Sequence, residues 1–295
     1  MKVCTVRMTE LIGFIYVLLA GLGFGFLGVF GRLGFQRGLS VGEILTWRFL
    51  LAAVLLWTYL FLFKRKLIQL SLKQILISSA LGVFGYSLFS TLYFMSIQGI
   101  SISLAALLLF TFPIFVNVGA YFFLKEKMTL KQVISLIFAT LGIAILVWGP
   151  LFINSFSAVI YALLAAVSYA IYVLVSGRVQ QGVEPLSSSL YVITSAGIAL
   201  LLFHQPSFDR LLHFSNYEYL IFLGLATVCT VAPLTLFLAG LQRLSSSKAS
   251  LVVMIEPVVA AVAAWMILDE KLSLAQAAGA LLVLFSLFLN ATKSK

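Results

Sequence analysis

The chain is built from apolar runs, each close to the length that an α-helix needs to cross a bilayer. The runs contain roughly 16 to 23 residues, and about 20 apolar residues span the hydrocarbon core. The breaks between them are short and carry charges or turn residues, as in Lys64-Arg65-Lys66 and Gly149-Pro150. We therefore predict an all-α polytopic membrane protein with ten transmembrane helices, at residues 11–31, 44–63, 75–97, 102–124, 131–148, 157–176, 187–203, 219–241, 247–268 and 273–290.

The composition and the placement of charge argue against a soluble or nucleic-acid-binding protein. Hydrophobic residues make up 62% of the chain and charged residues only 9%, which is far from the average of soluble domains. The formal net charge of +10 lies beside the apolar runs, so it indicates topology rather than a nucleic-acid surface. With the N-terminus in the cytosol, most of the 19 Lys and Arg residues fall on the cytosolic side. We expect a multi-pass protein of the cell (inner) membrane with both termini cytosolic, surrounded by the lipid bilayer.

The chain contains two copies of one unit, related by an offset of 144 residues from Pro113 to Pro257. The same offset aligns residues 124–129 with residues 268–273, both of which contain the pair Glu-Lys, and no gap is needed. Self-similarity at a fixed offset is the sequence sign of an internal repeat. We therefore expect each half of the chain to fold as one structural unit.

The predicted repeats are residues 1–150, with helices one to five, and residues 151–295, with helices six to ten. Because each repeat has an odd number of spans, the second enters the membrane in the opposite sense. The turns at Glu126-Lys127 and Glu270-Lys271 then fall on opposite sides of the membrane. We expect a pseudo-two-fold axis in the membrane plane and a site near the midplane.

Several motifs resemble the drug/metabolite transporter superfamily, specifically its ten-helix branch with two EamA-type repeats. They are the Gly-rich Ala20-Gly21-Leu22-Gly23-Phe24-Gly25 of the first helix and the Arg of Trp47-Arg48-Phe49-Leu50 in the second. Helices four and nine add a proline and a terminal Leu-x-Glu-Lys series. The run from Tyr161 to Ala170 resembles the opening helix of the second repeat.

The resemblance implies a carrier whose central cavity is lined by helices three, four, eight and nine, with helices one and six beside them. Members of the superfamily move amino acids, nucleotide sugars and other metabolites, so the resemblance does not identify a substrate. The chain departs from symmetry at one position, because Phe112 in the first repeat corresponds to Glu256 in the second. A charge-dependent step would therefore depend on the second repeat.

Glu256 is the sharpest functional signal, because about ten residues at 1.5 Å each place it about 15 Å into its helix. An ionised carboxylate at that depth is costly unless it is hydrated or paired, so it indicates a functional site. Pro257 removes the amide that would have bonded to the carbonyl of Val253, which is tolerated where the backbone lines a cavity. The alternative is a structural carboxylate satisfied by Arg48 or by hydroxyl groups. Both a proton relay and a substrate ligand remain open as its role.

Two further polar residues have competing interpretations. Arg48 lies about five residues inside its span, which favours a side chain that extends to the outer interface, as long basic side chains do. A pairing with Glu256 or with a substrate carboxylate is the alternative. Asn117 follows Pro113 by one helical turn, and either a site role or a hydrogen bond between helices would satisfy its amide.

Aromatic residues complete the predicted site. On helix three, Tyr86 and Tyr93 share one helical face, and Tyr169 on helix six is a candidate to complete an amphipathic lining. Aromatic residues in membrane proteins also serve packing and lipid contacts, so a packing role is the alternative. The predicted substrate-binding residues are Glu256, Asn117, Tyr86, Tyr93 and Tyr169.

The motifs favour transport over catalysis. His204 and His213 have no Cys, Asp or Glu at metal-ligand spacing, so no metal or cofactor is expected. The G-x-G-x-x-G run of residues 23–28 lies inside an apolar helix, where close packing explains it. We predict a secondary transporter that exports a small polar or amphipathic metabolite, such as an amino acid, by alternating access. Proton coupling through Glu256 is one hypothesis. A membrane enzyme and a non-transporting structural subunit are the alternatives, and the oligomeric state stays open.

Overall fold

The computed structural model describes residues 2–149, 153–269 and 271–291, with side chains described from residue 8 onward. Within these ranges nine helices are long and apolar enough to cross a membrane, and a tenth apolar helix is shorter. They are α1 (Met8–Gln36), α2 (Val41–Phe63), α3 (Leu72–Ile97), α4 (Ile102–Leu124), α5 (Leu130–Leu146), α6 (Phe156–Val179), α7 (Pro185–His204), α8 (Asn216–Leu241), α9 (Ser246–Ile267) and α10 (Leu274–Ala291).

The all-α, ten-helix prediction is confirmed, and most helix ends lie within a few residues of the predicted ones. The first helix is the main exception. Its helical backbone begins at Lys2, six residues before the span, and continues after Phe26 to Gln36, whereas the prediction was 11–31. A short helix, Phe208–Leu212, lies between α7 and α8. The predicted repeat boundary after residue 150, and Glu270 of the predicted outer turn, lie outside the described residues.

Polar residues in the short breaks determine where several helices begin. Ser40 and Glu43 form a reciprocal capping box at the start of α2, in which each side chain bonds the other residue's backbone amide. Thr129 and Gln132 do the same at α5. These caps satisfy amides that have no partner within the helix, so a break of only a few residues can end one span and begin the next.

The long helices are interrupted at equivalent places in the two repeats. In α3 a wider π-helical turn covers Leu81–Ser87, and in α8 one covers Thr227–Val231. Shifted back by 144 residues, the α8 turn falls within the α3 turn. The α4 helix is interrupted after Leu109 and resumes at Phe112, while α9 tightens at Val253–Ile255 before it continues. The repeat seen in the sequence is therefore a repeat of backbone shape.

Pairs of equivalent helices meet around the pseudo-two-fold axis. Between α5 and α10, a Cβ atom built on Gly142 would lie 2.7 Å from the carbonyl oxygen of Gly279, so the two backbones touch. About two turns away, Ser135 Oγ donates to the carbonyl oxygen of Ser286 at 2.7 Å. The 144-residue offset exchanges these two contacts, because it maps Gly142 onto Ser286 and Ser135 onto Gly279. The α2–α7 pair packs in the same way, and α1–α8 corresponds to α3–α6.

Two faces of the bundle can be named by their acidic residues. The Glu126 face holds the ends of α4 and α6 and the starts of α5, α7 and α9. The Glu43 face is the opposite one. Contacts such as the hydrogen bond from Arg178 Nη1 to the carbonyl oxygen of Phe123, at 3.3 Å, connect the repeats at the Glu126 face. The α4 and α9 helices run in opposite directions between the two faces, as inverted repeats require.

Candidate functional site

Glu256 begins the second segment of α9, at the point where the helix changes shape. The three residues before it form a tight 3₁₀ turn, and Pro257 follows it at the start of the continuing helix. The Glu256 side chain is half-buried, and within the described part of the chain it accepts no hydrogen bond. A carboxylate placed deep in the bundle, with accessible surface and no bonded partner, is available to water or to a ligand.

Arg48 is buried, with 2% of its surface exposed, so the prediction that it extends to the outer interface was wrong. Its Nε donates to Thr230 Oγ1 on α8 at 2.8 Å. The Thr230 hydroxyl in turn donates to the carbonyl oxygen of Leu225 at 2.7 Å, across the wide turn of α8. The guanidinium carbon lies 4.7 Å from the centre of the Phe49 ring, a cation–π contact. Packing of α2 against α8 therefore turns this side chain inward.

Arg48 and Glu256 are near each other but not paired. The charge of Arg48 acts on Glu256 electrostatically. Among the described residues, however, the ion pairs within 4.0 Å do not include one between them. Opposite charges held apart in this way leave room for a group that binds both. Arg48 therefore does not form with Glu256 the structural ion pair that was one alternative from the sequence. The Glu256 carboxylate is left without that partner.

Aromatic rings surround this pair of charges. Tyr86 lies in the wide turn of α3, and Tyr169 and Tyr172 lie on α6, with their rings stacked at 6.2 Å. The ring of Tyr86 meets those of Phe49, Phe89 and Tyr172 at 5.2, 4.9 and 5.7 Å. We call this group the central cluster, and its members are Arg48, Tyr86, Tyr169, Tyr172, Thr230 and Glu256.

The structure brings most of the predicted site residues together. Tyr86, Tyr93 and Tyr169 all lie within electrostatic range of Glu256. Tyr93 is half-buried at the edge of this group, where it packs against a small apolar cluster that includes Ile100. These placements are compatible with the predicted binding roles, which remain predictions.

Asn117 lies five residues after Phe112 in α4, toward the Glu126 face. Its Nδ2 donates to the carbonyl oxygen of Pro113 in the same helix at 2.7 Å, so the described contacts do not include the predicted bond between helices. Its Oδ1 is buried and has no partner among the described residues. Such an atom is costly to leave unpaired, and a site role for Asn117 stays a prediction.

Sequence reasoning did not select Thr230, and it left Tyr172 as a weak candidate. The repeat contained a signal for Thr230, because the 144-residue offset maps Tyr86 onto it. Both residues lie in wide turns, a feature that often marks functional sites in helices. Tyr172 follows Tyr169 by one turn, so both rings face the same region.

Two surface depressions are evident in the described part of the bundle. One lies along α2 beside Trp57 and Phe61. The other, of about 280 Å³, opens on the Glu126 face and is lined by Glu10, Glu126, Lys127, Thr129, Gln132, Ser245, Ser247 and Lys248. Neither depression contains the central cluster, so the expected central cavity stays a prediction. No group of three His, Cys, Asp or Glu side chains that could hold a metal ion occurs within the described ranges.

The chain matches one transporter family over nearly its whole length. A model of the EamA-like transporter family matches residues 11–148 and 156–292. The uncharacterized transporter YcbK of Bacillus subtilis is 24% identical over 276 residues, covering 90% of this chain and 88% of that protein. The uncharacterized transporter YoaV of the same organism is 28% identical over 254 residues, covering 82% and 84%. A crystal structure with 16% sequence identity superposes with a TM-score of 0.76 over 96% of each chain, a likeness of fold.

Proposed function

Since the chain belongs to the EamA-like transporter family, we propose that this membrane transporter exports a small polar or amphipathic metabolite, such as an amino acid, by alternating access. In this proposal the protein lies in the cell (inner) membrane with both termini in the cytosol. The Glu126 face is then cytosolic, because most of the 19 Lys and Arg residues accompany that side. The two repeats, residues 1–150 and 151–295, rock about the central cluster.

The observation that carries the proposal is the unbonded, half-buried carboxylate of Glu256 among aromatic rings and near a buried Arg48. Charged groups inside a membrane bundle are uncommon and are typical of substrate or ion pathways. A site with one acid, one base and several rings fits a substrate with both charges and an apolar part. An amino acid has this chemistry.

Proton coupling is assigned to Glu256 in the same proposal. A carboxyl group that faces one side and then the other can take up a proton from one compartment and release it to the other. Phe112 occupies the equivalent position in the first repeat and cannot titrate. One proton per cycle is therefore expected to depend on Glu256.

The test uses the purified full chain in proteoliposomes with an imposed pH gradient and radiolabelled amino acids, supplied singly and grouped by side-chain charge. The wild-type protein should accumulate at least one of them against its concentration gradient. Glu256→Gln keeps the shape of the side chain and removes its titration, so gradient-driven accumulation should be lost. A ligand-induced thermal shift should persist. Glu184→Gln, which changes an exposed carboxylate between α6 and α7, is the matched control and should behave as wild type.

Two outcomes would contradict the proposal. Accumulation by Glu256→Gln with an unchanged pH dependence would remove Glu256 as the coupling group. Failure of the wild-type protein to transport or bind any of the amino acids would reject this substrate class, and the same assay would then be repeated with other metabolites grouped by charge.

A further inference from the structure

A carboxylate from the first repeat binds the beginning of α9 in the second. The backbone amides of Ser246 and Ser247 donate to the two carboxylate oxygens of Glu126, with N–O distances of 3.4 and 3.3 Å. Both serines are buried. The first amides of a helix have no partner within it and form the positive end of its dipole. Ser245 caps the amide of Lys248 at 3.2 Å, and Glu126 binds the two amides that precede it in the first turn of α9.

The loop that carries Glu126 is held in a fixed shape. Lys125 adopts the left-handed conformation, with a φ of 56°, which turns the chain sharply at the end of α4. The amide of Glu126 then donates to the carbonyl oxygen of Ala120 at 3.0 Å. Three residues after Glu126, Thr129 caps α5. Glu126 is thus held between the end of α4 and the start of α5. Its bonds connect these two helices to the first turn of α9.

A second contact between the repeats at this face is more exposed. Lys248 Nζ lies 3.1 Å from Glu10 Oε2, and the two side chains are 34% and 51% exposed. Exposed ion pairs contribute little stability because water and salt screen them. The depression lined by both Glu10 and Glu126 brings water to the edge of these contacts. The bonds of Glu126 go instead to buried amides, and nearby water makes their release feasible.

We propose that Glu126 is a gating residue, which holds the Ser246–Val252 segment of α9 against the first repeat and closes the path from the Glu126 face to Glu256. The inference rests on the alternating-access function proposed above. The segment ends at the tight turn Val253–Ile255, which separates it from the rest of α9. When the segment moves away, the two amides of α9 lose Glu126 and bind water instead, and the path opens to that face.

The equivalent end of α4, on the Glu43 face, provides an internal comparison. The 144-residue offset maps Ser246 onto Ile102, and each is the first residue of its helix after a serine cap. The carbonyl oxygen of Gly99, just before α4, accepts from the amides of Asn154 and Ser155 in the connection between repeats. Within the described ranges, this end is held by backbone contacts, and Glu270, the counterpart of Glu126, lies outside those ranges.

The test measures how fast a cysteine beneath the gate reacts with N-ethylmaleimide, in the purified full chain in lipid nanodiscs. Ser250→Cys places the thiol one turn below Ser246 on a fully buried residue, in a background with Cys4→Ser. The buried Cys229 is retained. Glu126→Gln weakens the bonds to the amides and should speed labelling at least five-fold. Glu10→Gln, which affects only the exposed ion pair, should leave the rate within two-fold of the parent.

A second variant removes the other partner and leaves Glu126 intact. Ser246→Pro deletes one of the two donor amides, and proline is accepted at the first position of a helix. Ser245 before it is already extended, with a ψ of 150°, as a residue before proline prefers. Labelling should again be faster, whereas Ile102→Pro at the equivalent position of α4 should leave it unchanged. Elution profiles and melting temperatures of all variants identify any that fail to fold.

The gating role is overturned if both Glu126→Gln and Ser246→Pro fold and label within two-fold of the parent. It is also overturned if Ile102→Pro speeds labelling as much as Ser246→Pro. The measurement needs neither substrate nor flux, so its failure is separate from that of the proposed function. Faster labelling together with absent transport would support the gate and reject the transport proposal.

Discussion

Helices α4 and α9 have nearly the same backbone but different chemistry at one position. Each is interrupted near its middle, and Pro113 and Pro257 follow the interruption at equivalent places. Phe112 in α4 is 1% exposed, and its ring lies 4.5 Å from that of Tyr169. Glu256 in α9 is half-buried and has no hydrogen bond within the described part of the chain.

The comparison of α4 with α9 distinguishes features that belong to the fold from features that belong to the candidate site. The interruption and the proline belong to both repeats, so they are properties of the fold. The free carboxylate belongs to one repeat, so it is a property of the site. Phe112 stabilises the interface with α6 by packing, and the equivalent position in α9 leaves a group available for chemistry.

The largest effect is expected when the second repeat is made like the first. Glu256→Phe removes the carboxylate and fills the accessible space beside it, so proton-driven transport should fall to the background of empty liposomes. The measurement is flux into proteoliposomes under a pH gradient. Phe112→Leu, which changes the equivalent position and adds no charge, should retain most of the flux. Equal losses in the two variants would show that the positions are not chemically different.

The next effect concerns the stability supplied by the first repeat. Phe112→Ala removes a buried ring that packs on Tyr169, and a cavity of that kind costs about 3 kcal/mol of unfolding free energy. Glu256→Ala should cost less than about 1 kcal/mol, because no hydrogen bond is lost. Unfolding in mixed micelles measures both. A larger cost for Glu256→Ala than for Phe112→Ala would make Glu256 the structural member of the pair.

A third prediction concerns the close contact between α5 and α10. Added Cβ atoms on Gly142 and Gly279 would lie 2.7 and 2.6 Å from the facing carbonyl oxygens. Gly142→Ala and Gly279→Ala should therefore each force α5 and α10 apart, at a cost of about 2 kcal/mol. Unfolding free energies of the two single variants should agree within about 0.5 kcal/mol. A large difference would show that one of the two helices accommodates the added methyl group by a local shift.

The smallest effect is expected at the support of Arg48. Thr230→Val keeps the shape of the side chain but removes the hydroxyl that accepts from Nε, which should cost about 1.5 kcal/mol because the donor is charged. Tyr86→Phe changes the equivalent position of the first repeat and should cost less, since its ring contacts persist. Unfolding measurements of the two variants test this order. A greater loss for Tyr86→Phe would assign the main support of Arg48 to α3.

The sequence was sufficient for the fold because length and hydropathy determine membrane spans almost independently of tertiary packing. The offset from Pro113 to Pro257 predicted the repeat, and the reversed direction of the second copy follows from an odd number of spans. Helix ends were less accurate. The first helix runs through its glycines to Gln36, since glycine lowers helix propensity without ending a helix inside a bundle.

The site was less predictable, because depth along a helix does not show what lies beside it. Arg48 was placed at the interface by its position near the start of α2, but α8 supplies Thr230 and buries it. Asn117 was expected to bond another helix or line the site, but its amide instead bonds the carbonyl that lacks a partner because of Pro113. Contacts of this kind depend on how helices distant in sequence pack together.

The exchange of contacts at α5 and α10 has a consequence for how an acidic site can exist at all. Two separate copies of one identical repeat would form an isologous dimer, and every residue near its axis would occur twice. An acid at the Glu256 position would then face a second acid at the Phe112 position, and two like charges so close resist joint ionisation. When the two copies are joined in one polypeptide, equivalent positions can carry different residues, as Phe112 and Glu256 do. A single, unopposed acid is therefore a property that a dimer of identical repeats cannot have.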